Sequence, residues 1–207
     1  ALVKSAFMDE ELQGHMNLTS ANSINVARFL PQAFYYFNAY AQAKKLGKAD
    51  NLTICVPSGN FGNITAGLFA QRMGLPIKHF IAANNANDIF YNYLLSGIYS
   101  PKASIQTIAN AMDVGDPSHF ARILDLYKSS HAEICNHISG ATYSDDEIAA
   151  TMKKCYEQTG YVLDPHGACG YQALKDNLKE GETGVFLETA HPAKFKEKVD
   201  AILSTYI

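Results

Sequence analysis

The sequence predicts an α/β chain built on a partial, doubly wound and mostly parallel sheet, and three observations predict it. Strand-like and helix-like patterns alternate along its 207 residues. The stretch from Leu52 to Ala82 reads strand, helix, strand over about 30 residues, the length of a parallel crossover. A turn with two glycines, Ser58-Gly59-Asn60-Phe61-Gly62-Asn63, joins the first of those strands to its helix.

Taken in order, Ala1 to Leu12 reads as a helix already under way, with Leu2, Val3, Ala6, Phe7 and Leu12 spaced for one face. Ala1 is not an initiator methionine, so the chain is expected to be a fragment. Ser20 or Asn22 caps a second helix that carries Ile24, Ala27, Phe29, Phe34, Tyr35 and Phe37 as far as Leu46, bent at Pro31 and stopped by Gly47. Next come strand Leu52 to Val56, helix Ile64 to Met73, a Gly74-Leu75-Pro76 turn and strand Ile77 to Ala82. Helix Asp88 to Leu95 is capped by Asn87 and ended by Gly97. Ser118 to Lys128 and Ser144 to Gln158 are amphipathic helices, the second opening with the capping-box pattern Ser144-Asp145-Asp146-Glu147. Few strand signals lie between them. Tyr161 to Leu163 reads as a short strand, Pro165 to Leu178 as a helix, Gly184 to Glu188 as a strand, and Pro192 to Leu203 as a last helix with proline in its first turn.

Composition narrows the function classes. A hydrophobic content of 47% supports a globular core, and the formal net charge of -3 gives no basic stripe for nucleic acid. No apolar run reaches the roughly 18 residues of a spanning helix, so no membrane role is expected and the protein is placed in the cytoplasm. Cys55, Cys135, Cys155 and Cys169 form no C-x-x-C pair and read as reduced core thiols; the scattered histidines predict no metal site.

The informative motif is the two-glycine turn. Glycine at 59 and 62 admits positive φ and close approach of a ligand, and the helix that follows offers unpaired N–H groups and a positive dipole end. A phosphate suits such a cradle. The spacing is neither the Walker pattern nor the dinucleotide fingerprint, which argues against a nucleotide. Two-glycine turns are also common in α/β proteins, so spacing alone leaves a purely structural turn open.

The run Val56 to Leu68 (VPSGNFGNITAGL) resembles the phosphate-binding loop of threonine synthases, which use pyridoxal phosphate. Asn17 to Gln32 (NLTSANSINVARFLPQ), Ala111 to Val114 (AMDV) and Leu187 to Phe195 (LETAHPAKF) resemble the same family and follow its order, so the resemblance spans nearly the whole chain. It implies the tryptophan synthase beta-like fold (fold type II) of pyridoxal-phosphate enzymes, of which this chain would be the carboxyl-terminal part of the catalytic domain, incomplete without an amino-terminal half.

The resemblance also implies roles. Gly59, Asn60, Phe61, Gly62 and Asn63 would hold the cofactor phosphate through backbone N–H groups, with the Ser58 hydroxyl beside them. Thr189 would set its hydroxyl against the pyridine nitrogen; read without the family, it is a helix cap. Asn22, Ser23, Asn25 and Arg28 would lie beside the phosphate of the substrate, where a guanidinium fork matches phosphate oxygens. The bland reading of that stretch is a capped helix with a surface arginine. His166, His191 and Lys194 fall in familiar stretches without a derivable role. The Schiff-base lysine belongs to the absent half, and Lys175, in the sole Lys-Asp pair, does not take its place. The resemblance thus implies conversion of O-phospho-L-homoserine and water to L-threonine and phosphate by the complete enzyme, with the fragment alone inactive. The alternatives are another lyase of the same fold, such as a threonine dehydratase or cysteine synthase relative, or a non-catalytic phosphate-binding module.

Overall fold

The computed structural model describes residues 2–19 and 25–204, with side chains from Ser5 onward. It opens with α1 (Leu2–Phe7) and α2 (Glu10–His15). The single helix expected over Ala1 to Leu12 is broken because Asp9 is extended and its carboxylate accepts from the N–H groups of Glu11 and Leu12, capping a new helix. Likewise α3 (Val26–Phe29), a 3-10 turn (Leu30–Gln32) and α4 (Ala33–Lys45) replace one long helix. Pro31 sits in that turn, where it removes a backbone donor. The cap of α3 is Asn25, whose side chain accepts from the Ala27 N–H at 2.9 Å; the expected caps, Ser20 and Asn22, lie outside the described residues.

β1 (Leu52–Pro57), α5 (Gly62–Arg72), β2 (His79–Asn84) and α6 (Ile89–Ser96) follow, and then α7 (Phe120–Leu126) and α8 (His131–His137). β3 (Ile138–Thr142), α9 (Asp145–Thr159), α10 (Pro165–Asn177) and β4 (Thr183–Phe186) come next; a 3-10 turn at Pro192–Phe195 leads into α11 (Lys196–Leu203). The four strands make one sheet in the order β3-β2-β1-β4, with every neighbouring pair parallel. Ile54 of β1 lies opposite Phe80 on one side and Val185 on the other.

Side chains alternate across each strand and so divide the core in two. Leu52, Ile54, Val56, Phe80 and Ala82 pack with Tyr36, Leu68 and Phe90 from α4, α5 and α6. Cys55, Ile81 and Ala83 pack on the opposite face with Ile148, Met152 and Cys169 from α9 and α10. Helices therefore cover both faces, and β1 and β2 are apolar on each, as buried parallel strands are. The α/β, doubly wound expectation holds. The ends of α9 also follow the sequence, with the full capping box of Ser144 and Glu147 at its start and Gly160 left-handed at its close.

Three further expectations fail. α8 and β3 occupy a stretch where no strand was expected; Ile138-Ser139-Gly140-Ala141-Thr142 has one large apolar residue, and only pairing with β2, from Phe80 opposite Ile138 to Asn84 opposite Thr142, makes it a strand. Tyr161 to Leu163 joins no ladder and runs instead into Asp164, the cap of α10. Asn87 does not cap α6, because its amide is engaged with both the carbonyl and the N–H of Ile105. Among the described residues no helix is long and apolar enough to cross a membrane.

Candidate functional site

The two-glycine turn leaves the carboxyl end of β1 in the middle of the sheet. Its start is tied to β2 by the Ser58 N–H donating to Ala83 O at 3.0 Å and by Asn84 Nδ2 donating to Ser58 O at 2.9 Å. Asn63 closes the loop on itself: its Oδ1 accepts from Ser58 Oγ (2.8 Å) and the Ile64 N–H (2.9 Å), and its Nδ2 donates to Pro57 O (2.8 Å). The Ser58 hydroxyl and the Asn63 amide are therefore spent on the loop's own shape. Asn60 Oδ1 is spent too, accepting from the N–H and hydroxyl of Ser118.

What the loop has left is backbone. Among the described residues no acceptor pairs with the N–H groups of Gly59, Asn60, Phe61, Gly62 or Asn63, which gather at the amino end of α5. The source of this shape differs from the sequence expectation. Neither Gly59 nor Gly62 is left-handed; Phe61 is, at φ 65°, with its ring 4.5 Å from that of Phe90 and its carbonyl accepting from Thr65 Oγ1. Gly59 is needed for space instead, because a Cβ there would stand 2.5 Å from Met112 Cα.

Ala111 and Met112 thus form the opposite wall. Asp113 holds that segment down, its carboxylate accepting from the Thr107 N–H and hydroxyl and from the side-chain amides of Asn85 and Asn87. His166 fixes it from below. The Ala111 N–H donates to His166 Nε2 at 3.1 Å, so the ring proton sits on Nδ1 and is donated to Asp164 Oδ1 at 2.6 Å. His166 and Asp164 are both buried, and the sequence alone gave His166 no such role.

Thr189 completes the arrangement from the loop after β4. A cavity of about 250 Å³ is lined by Gly59, Asn60, Phe61, Gly62 and Asn63, by Ala111, Met112 and His166, and on its far side by Thr189, Lys194 and Phe195. Ser58 is buried and does not line it. Of the proposed substrate group, Asn22 and Ser23 lie outside the described residues; Asn25 caps α3, and Arg28 is exposed on α3 and does not line this cavity. His191 caps the following turn, with Nδ1 accepting from the Ala193 N–H at 3.2 Å. Lys175 is exposed on α10 over the Tyr171 ring.

A larger cavity, about 640 Å³, adjoins the Thr189 segment and among the described residues shares Thr189 and Ala190 with the first. The smaller cavity is the one lined by the residues whose N–H groups have no acceptor among the described residues. Glu188, to which the sequence alone gave no role, lines the larger cavity and not the smaller. Burial, and then the charge of Asp164, push its carboxyl up to about 7.

Comparison with known proteins gives this geometry a context. A family model described as pyridoxal-phosphate dependent enzyme matches residues 10–189. The chain is 52% identical over 203 residues to the threonine synthase of Haemophilus influenzae, covering 98% of this chain and 47% of that protein. It superposes on the crystal structure of threonine synthase from Escherichia coli with a TM-score of 0.91 at 47% identity, covering all of this chain and 47% of the other. A pyridoxal-phosphate-bound threonine synthase from Brucella melitensis gives 0.90 at 37% identity over 100% of this chain and 49% of that one. The chain spans about half the length of the relatives it matches.

Proposed function

The chain belongs to the family of pyridoxal-phosphate-dependent enzymes, and on that premise we propose that it is the cofactor-phosphate half of a threonine synthase, whose complete form converts O-phospho-L-homoserine and water to L-threonine and phosphate. The observation that carries this reading is the meeting, on one cavity of about 250 Å³, of Gly59 to Asn63, whose N–H groups have no acceptor among the described residues, with Thr189. The cradle fits a phosphate dianion: it offers N–H donors at a helix amino end and, among its described lining residues, no carboxylate. Thr189 fits an aromatic nitrogen, since a hydroxyl can donate to it without imposing a negative charge.

When bound there, pyridoxal phosphate supplies the electron sink for removing protons next to the amino group and for losing the phosphate. This chain's residues do the holding. Gly59 to Asn63 fix the cofactor phosphate, Thr189 fixes the ring, and Ala111 and Met112 close one wall. Asn22, Ser23, Asn25 and Arg28 are assigned to the phosphate of the substrate, a second anion that a dehydratase or cysteine synthase relative has no need to bind. The lysine that carries the cofactor comes from the other half of the protein, so the isolated fragment has no turnover of its own.

Phosphate release from O-phospho-L-homoserine by the full-length protein, with and without pyridoxal phosphate, tests the reading. Cofactor-dependent release with equimolar threonine is expected. Cofactor binding with turnover of L-threonine or O-acetylserine alone would replace it by the lyase alternative, and binding with no turnover by the non-catalytic module.

A further inference from the structure

Gly167, in the first turn of α10, has no room for a side chain because the carboxyl of Glu188 lies on it: an added Cβ would stand 2.4 Å from both Cδ and Oε1, with Oε2 closer still. That position brings Glu188 within reach of the backbone N–H and the side chain of Asp164. Asp164 is fully buried, and although its Oδ1 is doubly engaged by His166, its Oδ2 is buried without a well-formed hydrogen bond. A buried carboxylate oxygen needs a donor, and two ionised carboxylates cannot lie side by side at low cost. One proton between the pair answers both demands, since a protonated Glu188 donates to Oδ2.

We propose that Glu188 and Asp164 share one proton and that this carboxyl pair is a positioning device for Thr189 and for the Ala111 wall, an inference that rests on Thr189 facing the cofactor ring. Thr189 is the next residue in the chain, so anchoring Glu188 on Gly167 sets where the Thr189 hydroxyl points. Asp164 in turn holds His166, and His166 holds the Ala111 N–H. A single proton thus ties both sides of the cradle together. The larger cavity gives the Glu188 side chain somewhere to go when the proton leaves. Among the described residues the other titratable groups that line a cavity with Glu188 are Tyr161, His191 and Lys196 with its ion-pair partner Asp200 in the larger cavity and Tyr35 of α4 in a further one, while His166 holds Asp164. Loss of the proton sets two negative charges against each other and releases the Thr189 segment towards Lys196. The raised carboxyl of Glu188 agrees with this geometry.

The test uses the full-length protein, its Asp and Glu carboxyl carbons labelled with carbon-13, titrated first without cofactor. One carboxyl is expected to titrate near neutrality, and Glu188→Gln, which keeps a donor for Asp164 Oδ2, is expected to remove that titration. If every carboxyl titrates in its ordinary range, the shared proton is refuted, whatever the cofactor does. Pyridoxal phosphate is then added: the wild type is expected to lose about tenfold more affinity than Glu188→Gln between about pH 6 and pH 8.5, with a matching change in the cofactor absorbance, the variant keeping only the shallower slope that the cofactor's own phosphate and its lysine impose. A wild-type slope no steeper than that of Glu188→Gln would overturn the positioning role. Absence of pyridoxal phosphate binding at every pH, with the neutral titration present, would refute the functional reading and the positioning role with it.

Discussion

Gly59 and Met112 are in backbone contact across the cradle, so close that a Cβ at 59 would lie 2.5 Å from Met112 Cα and 3.0 Å from Ala111 O. The obstruction is main chain, which cannot rotate away. Gly62 is different, because its neighbour is the His119 ring at 3.1 Å, a side chain that can give slightly. Gly59→Val is therefore expected to weaken pyridoxal phosphate binding more than Gly62→Val, by an amount on the order of 1–3 kcal/mol. Cofactor titration of both variants decides the matter; unchanged affinity in both would remove the phosphate-loop assignment.

Asn63 is expected to be structurally dearer than its half-exposed position suggests. Asn63→Ala removes the Ser58, Ile64 and Pro57 hydrogen bonds together and leaves buried partners unpaired, at a cost of about 1–3 kcal/mol. Denaturant unfolding should show this loss in the absence of cofactor. A variant as stable as the wild type would mean that Asn63 does not brace the loop.

Thr189→Ala should leave unfolding unchanged, since Thr189 is exposed and lies outside β4. It should still alter the cofactor spectrum and lower turnover, with a loss of about 0.5–1.5 kcal/mol for one neutral hydrogen bond. Thr189→Ser should restore the spectrum. Wild-type spectrum and rate in Thr189→Ala would return the residue to a loop position with no cofactor contact.

Arg28→Ala in the complete enzyme should raise KM for O-phospho-L-homoserine while sparing pyridoxal phosphate affinity, because the loop at Gly59 to Asn63 is the one proposed for the cofactor's own phosphate. One charge-assisted contact contributes about 1.5–3 kcal/mol, or roughly ten- to a hundredfold in kcat/KM. Arg28→Lys should recover part of it, a point charge being a poorer match than the planar fork. Full efficiency in Arg28→Ala would leave Asn25 and Arg28 as the cap and surface of a short helix.

Glu188 also makes stability depend on pH, with a definite sign. Its carboxyl is raised in the folded protein from 4.5 to about 7, so the folded state binds more protons than the unfolded state between those values. Stability from this group is present at acid pH and is lost as pH rises through about 7. The difference in Tm between wild type and Glu188→Gln should therefore change across that interval and level off on either side; a constant difference would exclude the titration.

Sequence by itself determined the elements whose signals are local. Leu52–Pro57 and His79–Asn84 are apolar on both faces, so β1 and β2 were legible within two residues at each end. The Ser144 capping box, Pro165 and the left-handed Gly97 and Gly160 marked helix ends because each satisfies or frees a backbone group on the spot. The loop from Ser58 to Asn63 was legible as a strand-to-helix turn for the same reason: a strand, a turn and a helix start are consecutive in the chain.

Tertiary structure decided whatever depends on a distant partner. β3 exists because β2 offers it a ladder, and its own five residues carry too little apolar pattern to announce it. Glycine 59 reads in sequence as a residue chosen for its backbone angles, yet it is there to admit Met112, which is remote in sequence. The Ala111, His166 and Asp164 chain joins residues far apart in sequence, and the Glu188 carboxyl meets Gly167 only because the loop after β4 passes over the first turn of α10. Local propensity writes the elements, whereas a hydrogen bond, a steric limit or a shared proton between remote residues exists only once the sheet has set their separation.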